Sequence, residues 1–433
     1  MENKSPRILI VNVHSSLNAG DLALLECAVQ ILRAVFDHPK IVVSANWPDE
    51  PALKALRLEI IPSPWHAAGV GSGRRPRWQV LSFLQGIFWA FWLKLFQPGL
   101  FTGLVPPGWK AALMIYRQVD LVVAVPGNQF FSSGRFGWPL PLIAFPVWLA
   151  HLFKKPLYIL PQSIGPFIRG WDRWLLVQSY RGARRIYLRD LVSVRLAHAL
   201  GLPDSKVAYV PDPAFNYPAA DPSAALEVLG RYGYRAELPA LGLTVLAQMP
   251  SYLNQVRMDA YYQAMATTIL RMAAEFKVQV FIFTQVSGPV PQENDRLGAQ
   301  EVLRRMGDLP ACVHFVDEAL PPQTLKACYG KMDVFVASRL HSGIFAMGML
   351  VPTLCIGYLT KTRGVLEAAG LIETLIELDH MDENVLWEKL RRLWIDRQAA
   401  SEKLKTTLPG LIRELQKIEA EIRADYAQLS NNP

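Results

Sequence analysis

Two series of short apolar runs, each followed by a stretch of helical spacing, set the firmest limit on what these 433 residues can fold into. The first series contains Arg7–Val13 (RILIVNV), Lys40–Ala45, Asp120–Val125 (DLVVAV), Pro156–Leu160 (PLYIL), Arg185–Leu188 (RIYL) and Lys206–Val210 (KVAYV). The second contains Leu241–Leu246, Val278–Thr284, Cys312–Val316, Asp333–Ala337 and Thr353–Ile356. Runs this short that stay apolar, instead of alternating with polar residues, belong to strands covered on both faces, the habit of parallel sheets. After the first run, Asp21 opens a helix with Leu24, Leu25, Ala28, Ile31, Leu32 and Val35 at helical spacing. A strand returns at Lys40, so the opening of the chain is a βαβ unit.

The expectation is an α/β protein of two doubly wound, Rossmann-like domains facing a cleft. The length agrees, being too great for one ordinary core. An N-terminal α/β domain is expected over residues 1–215, closed by Asp212-Pro213-Ala214-Phe215 and carrying an apolar insertion at 62–118. Residues 216–240, rich in Pro, Ala, Gly and Tyr and without a clear period, are expected to be linker. A C-terminal α/β domain over 241–395 and a charged C-terminal helix over 396–433 complete the chain.

The chain is basic, with a formal net charge of +8, although only 19% of its residues are charged. Acidic phosphorylated substrates and anionic lipid both fit that balance. The basic residues form no long basic helix and no nucleic-acid motif, so nucleic acid is not an expected partner. Cys27, Cys312, Cys328 and Cys355 are widely spaced within apolar-periodic segments and form no C-x-x-C pair. Reduced core cysteines are expected, without zinc or disulfides. The polar Met1–Pro6 stretch leads straight into a strand, so no secretory signal is expected and a cytoplasmic protein is.

One segment breaks the alternation. Trp78–Phe96 (WQVLSFLQGIFWAFWLKLF) carries Lys94 as its one charge and follows Gly73-Arg74-Arg75-Pro76-Arg77. Its length is marginal for a bilayer span and Gln79, Ser82, Gln85 and Gly86 interrupt it, so a span is not expected. Two readings stay open: a helix lying in the membrane interface with its arginines at lipid head groups, or a helix buried between the sheet and the partner domain.

Residues able to carry chemistry cluster after the strands. The loop His14-Ser15-Ser16-Leu17-Asn18-Ala19-Gly20-Asp21 places backbone N–H groups at a strand end, where they favour anions, or is simply a glycine turn with Asp21 as helix cap. It is neither G-x-G-x-x-G nor a Walker loop. Pro126-Gly127-Asn128-Gln129 follows the next strand, and Gln162 and Ser163 follow the one after. Arg189-Asp190 comes after Arg185–Leu188, with Ser193 one turn into the next helix; an arginine there grips a carboxylate or phosphate, or else pairs with Asp190. In the second series Ser338-Arg339-Leu340-His341-Ser342-Gly343 follows Asp333–Ala337, while Tyr358 and Lys361 follow the neighbouring strand. An Arg-x-His at a strand-to-helix junction, with a lysine beyond the next strand, points to a ligand site rather than to structural side chains.

In this order, Asn18-Ala19-Gly20-Asp21, Gln162-Ser163-Ile164-Gly165-Pro166-Phe167, Arg189-Asp190 with Ser193, Asp212-Pro213, and Ser338-Arg339-Leu340-His341 with Tyr358 and Lys361 resemble the polysaccharide pyruvyl transferase family. The departure lies at Val125-Pro126-Gly127-Asn128-Gln129, where that family shows a run of glycines. The resemblance implies a fold similar to the two-domain GT-B glycosyltransferases and phosphoenolpyruvate as donor. It also implies a sugar of a cell-envelope or extracellular polysaccharide, or its lipid-linked precursor, as acceptor. No metal or resident cofactor is implied. It further implies that Arg189, Arg339 and Lys361 bind the donor, with His341 as the catalytic proton-transfer residue. Asn18, Gly20, Asp21, Asn128, Gln162 and Ser163 are candidate acceptor or loop contacts. Two rivals share the architecture, since fold does not fix function: a glycosyltransferase using a nucleotide sugar, and a non-catalytic glycan-binding protein.

Overall fold

The computed structural model describes residues 5–70, 76–96, 102–132, 139–247, 255–290, 293–358 and 360–431. The chain begins β1 (Arg7–Val13), α1 (Ala19–Val35), β2 (Lys40–Ala45), α2 (Pro51–Ala55), β3 (Glu59–Pro62), α3 (Pro64–Ala67), α4 (Pro76–Leu95) and α5 (Pro107–Gln118). Next come β4 (Leu121–Ala124), α6 (Leu140–Leu152), β5 (Leu157–Gln162), α7 (Gly170–Arg181), β6 (Arg185–Leu188), α8 (Leu191–Ala199), β7 (Val207–Tyr209) and α9 (Pro222–Arg231). The second series is β8 (Ala240–Thr244), α10 (Gln255–Phe276), β9 (Gln279–Phe283), α11 (Asp295–Met306), β10 (Val313–Val316), α12 (Pro322–Tyr329), β11 (Val334–Ala337) and α13 (Leu340–Gly348). It closes with β12 (Thr353–Gly357), α14 (Thr360–Ala368), β13 (Leu375–Glu377), α15 (Glu383–Ile395) and α16 (Arg397–Asn431).

The chain divides into two compact units. The first comprises residues 1–16, 24–212 and 414–433; the second comprises 17–23 and 213–413. Each holds one wholly parallel sheet, in the order β3-β2-β1-β4-β5-β6-β7 and β10-β9-β8-β11-β12-β13 respectively. Strand order therefore reverses between β1 and β4 in one unit and between β8 and β11 in the other. Loops diverge at such points and leave room for ligands.

All eleven apolar runs are strands. The two strands that the runs did not announce, β3 and β13, are both sheet edges. An edge strand is covered less completely than a central one, and β3 (EIIP) is exposed at Glu59 and half-buried along the rest. It has no need of a continuous apolar run.

Residues 216–240 are not a linker. Pro222–Arg231 form α9, capped by the Asp221 carboxylate accepting from the Ser223 N–H at 2.9 Å. Ahead of it, the buried Lys326 ammonium donates to the carbonyls of Phe215 (3.2 Å) and Tyr217 (2.6 Å), which ties the entry of the segment to α12. The helical period of α9 is faint in the sequence because only a narrow stripe, Ala225, Val228 and Leu229, is buried. The domain boundary falls at 212/213, and the last part of α16, from 414, belongs to the first unit. There Asp425 accepts from Tyr158 (2.7 Å) and Arg184 (3.0 Å), and Tyr426 packs edge-on against Phe36.

Between 62 and 118 the described residues are largely helical. Helices α4 and α5 join α6 and α7 in one layer on the first sheet, with Leu93, Trp109, Leu113, Phe145 and Leu176 in a common core. Burial of each such side chain is worth on the order of 1.5–3 kcal/mol. Cys27, Cys328 and Cys355 are buried free thiols and Cys312 is a half-buried one; burial pushes Cys328 and Cys355 up to about 12.

Candidate active site

In the second unit, β11 ends at a loop held by hydroxyl groups. The Ser338 N–H donates to Thr244 Oγ1 (3.2 Å), and the Tyr261 hydroxyl donates to Ser338 Oγ (2.8 Å) while accepting from the Leu246 N–H (3.0 Å). Ser342 Oγ lies 2.8 Å from Thr244 Oγ1 and donates to the Arg339 carbonyl at 2.7 Å. These bonds fix the turn in which Arg339 is the residue preceding α13 and His341 stands in its first turn. The N–H groups of that turn lie at the positive end of the helix dipole, which favours an anion.

The Arg339 guanidinium is aimed by Asp295. Its Nη2 and Nε donate to Asp295 Oδ1 at 2.6 and 2.9 Å, and Nη2 also reaches the Glu293 carbonyl at 3.1 Å. Asp295 is itself fixed by the Val286 N–H on Oδ2 at 3.0 Å. Helix α11 can bring Asp295 this close because Gly298 has no side chain: a Cβ there would lie 2.1 Å from the Leu246 carbonyl oxygen. Burial works against the charge on Arg339, but Asp295 and Tyr358 outweigh it and hold the guanidinium above its ordinary value. Lys361 follows the neighbouring strand β12 and is half-buried in the first turn of α14.

The segment after β1 belongs to this same unit at Leu17–Ala23. Asn18 pairs with Val286 in an antiparallel bridge, the Ala19 N–H donates to the Gln285 carbonyl (3.1 Å), and Ser287 N–H to the Leu17 carbonyl (2.8 Å). Asn18, not Asp21, caps α1: its Oδ1 accepts from the Gly20 N–H at 3.0 Å, and Asp21 lies half-buried in the first turn. Gly20 lies directly against the His341 ring. A Cβ at Gly20 would sit 2.2 Å from His341 Nδ1, so any larger residue would have to displace the imidazole. Thus the N-terminal loop and the Arg-x-His turn, more than 300 residues apart in sequence, meet at one imidazole.

In the first unit, the candidates at the ends of β4, β5 and β6 are bound to each other. Gly127 and Gln162 form a parallel bridge, the Ser163 N–H donates to the Gly127 carbonyl (2.8 Å), and the Gln162 amide donates to the Val125 carbonyl. Arg189 is 1% exposed; its Nε donates to Ser163 Oγ (2.9 Å) and its Nη1 to Asp212 Oδ2 (2.5 Å). The open grip expected of Arg189 is therefore not the arrangement present, and its carboxylate is Asp212 rather than Asp190. Asp190 instead caps α8 by accepting from the Ser193 N–H at 2.7 Å. Asn128 stands half-buried in the same loop as Gly127.

Asp295 and Tyr261 were not singled out in the sequence. Asp295 follows Asn294 at a helix start after β9, a capping signal that marks a strand-end loop. Tyr261 lies within a long helix and carries no local signal at all. Among the described residues no group of three His, Cys, Asp or Glu side chains is placed to hold a metal ion.

The family model of polysaccharide pyruvyl transferases matches residues 18–360. The chain belongs to that family. It is 22% identical over 387 residues to the amylovoran biosynthesis protein AmsJ of Erwinia amylovora, covering 88% of this chain and 90% of that one. Among solved structures it resembles a putative UDP-N-acetylglucosamine 2-epimerase of Listeria monocytogenes, with a TM-score of 0.59 at 11% identity over 98% of this chain and 97% of the other. It also resembles Anabaena HepE, solved with UDP-glucose, with a TM-score of 0.57 at 12% identity over 97% and 100%. At such identities the structures show the fold alone, two Rossmann-like units of the GT-B type. This family member is a transferase of polysaccharide biosynthesis.

Proposed function

We propose that the chain moves the pyruvyl group of phosphoenolpyruvate onto a sugar of an exopolysaccharide or cell-wall glycan, or of its lipid-linked precursor. The product is a pyruvate ketal, and phosphate is released. The observation that carries this reading is the packing of His341 on Gly20 beside an arginine, Arg339, that Asp295 holds in place.

Phosphoenolpyruvate brings a carboxylate and a phosphate within one small molecule, and Arg339, Lys361 and the first turn of α13 offer two cations and a set of backbone donors. The methylene carbon takes a proton to become a methyl group while a first sugar hydroxyl forms a C–O bond to the adjacent carbon. A second hydroxyl forms the other C–O bond as the bond to phosphate breaks. Two hydroxyl protons are given up; one ends in the methyl group and one on the departing phosphate. In this scheme His341 carries a proton between hydroxyl and methylene, and Arg339 and Lys361 balance the charge of the donor. Arg189 acts by bracing the β5 and β6 ends instead of touching the donor. No resident cofactor or metal enters the scheme. We assign the protein to the cytoplasm, at the inner face of the cell membrane when the acceptor is lipid-linked.

Steady-state assay of phosphate release tests the scheme. His341→Ala is expected to lower kcat by about 10²–10⁴-fold with an unchanged unfolding midpoint. Turnover near wild type would remove His341 from the mechanism. Thermal stabilisation by UDP and none by phosphoenolpyruvate would replace the scheme with the nucleotide-sugar alternative.

A further inference from the structure

Helix α4 is apolar on every side, yet only one side of it is covered. Gly86, Ala90 and Leu93 are buried against the layer beneath, where Phe83 packs on Phe145. On the other side Trp78, Leu81, Leu84, Phe88, Phe91 and Leu95 form a stripe at steps of three and four residues, each between 46% and 75% exposed. A helix that is apolar all round has its second face in a core or in lipid, and α4 does not have it in a core. Among the described residues no helix is long and apolar enough to cross a membrane.

A second exposed patch lies in the same layer. Helix α6 packs against both α4 and α7, and the start of α7 exposes Ile168, Trp171 and Trp174. The acid in that turn, Asp172, is fully buried, accepting from Ser132 Oγ (2.6 Å) and the Arg169 N–H (3.1 Å). What the turn shows outward is tryptophan and Arg173.

Charge is distributed to match. Residues 60–189, which contain this layer, hold fifteen Lys and Arg against two Asp and no Glu. The rest of the chain carries thirty Lys and Arg against thirty-five Asp and Glu, so the net positive charge of the sequence comes from this stretch, within which Arg184 and Arg189 are paired with Asp425 and Asp212. The two acids are Asp172 and Asp120, and the latter accepts from the Arg7 N–H at 2.7 Å.

We propose that the exposed faces of α4 and α7 form a docking surface for an anionic lipid bilayer. Their tryptophan, phenylalanine and leucine side chains enter the interfacial region, and the exposed Arg77, Lys94 and Arg173 on the same helices meet the head groups. The chemistry favours this occupant over two others. A second copy related by a two-fold axis would set the basic stretch against itself. Nucleic acid is bound through phosphates by Lys and Arg, whereas the described length of α4 carries only Arg77 and Lys94 around its apolar stripe. Arg74 and Arg75, the neighbouring head-group contacts expected from sequence, lie outside the described residues. The proposal does not depend on the identity of the donor.

Cosedimentation of the full chain with vesicles tests it. Binding to vesicles of phosphatidylcholine mixed with phosphatidylglycerol is expected, weakening with added salt and with phosphatidylcholine alone. Leu81→Glu combined with Phe88→Glu should reduce partitioning by about tenfold or more, and Trp171→Ala with Trp174→Ala by less. Phosphate release with a water-soluble acceptor should be unaltered in both variants, which separates this surface from the proposed chemistry. Absence of binding to the phosphatidylglycerol vesicles overturns the proposal. So does a stable dimer, seen by light scattering, that Leu81→Glu and Phe88→Glu dissolve, or retention of nucleic acid that competes with vesicles.

Discussion

Arg189 and Arg339 occupy the same kind of position, one in each unit: the first residue or two after a parallel strand, just ahead of a helix. Their surroundings differ. Arg189 is sealed at 1% exposure against Asp212, itself 0% exposed, with Ser163 on its other nitrogen. Arg339 pairs with Asp295 yet keeps 17% of its side chain accessible, beside a histidine that a glycine allows into close contact. One arginine locks neighbouring strand ends together and the other presents its charge. A cation at a strand end is thus a conditional signal, and what decides it is how much of the guanidinium its carboxylate leaves uncovered.

The contrast is sharpest under substitution. Arg189→Ala should destabilise the fold by about 3–5 kcal/mol, because the buried Asp212 charge is left unpaired. Arg189→Met combined with Asp212→Leu should restore most of the loss in denaturant unfolding. An Arg189→Ala protein of wild-type stability but without activity would place Arg189 with Arg339 and erase the distinction. In the second unit the effect should fall on catalysis instead. Gly20→Ala is expected to lower kcat/KM by about 10²-fold through displacement of the His341 ring, although alanine is the better helix former by about 1 kcal/mol. A Gly20→Ala enzyme with full activity would show that the contact has no part in the chemistry.

The smallest effect belongs to a third, more exposed pair, Arg184 with Asp425. Burial alone would raise the Asp425 carboxyl, but hydrogen bonds from Arg184 and Tyr158 outweigh it and hold it below its ordinary value. The stability it contributes is then fully present at neutral pH and is lost as pH falls below the ordinary aspartate value through the folded one. Asp425→Asn should cost about 1 kcal/mol at pH 7 and progressively less toward strongly acidic pH. A cost that does not shrink in acid would assign the role of Asp425 to shape rather than charge.

The central strands were legible because strands covered on both faces demand unbroken apolar runs, and β1, β5 and β11 show them. The edge strands β3 and β13 were not: β3 is half-exposed and tolerates Glu59, and β13 is only three residues long and ends in Glu377. The motif turn Ser338–His341 could be read as a site from its place at a strand end. Its supports, Tyr261 and Asp295, could not, because a tyrosine inside a helix and an aspartate at a helix start look ordinary until the chain brings them to Ser338 and Arg339. Helix α4 shows the same limit. Its composition required an apolar environment on all sides, while only packing revealed which side the protein supplies and which it leaves open.

By itself the sequence determined the parallel α/β architecture, the family and the strand-end motifs, because periodicity and local motif are properties of neighbouring residues. Tertiary structure alone decided that Gly20 meets His341, that Asp212 rather than Asp190 neutralises Arg189, and that residues 17–23 join the second unit. These pairings join residues between 23 and more than 300 positions apart. They depend on close packing and on neutralising charge away from water, which no local stretch of chain can specify.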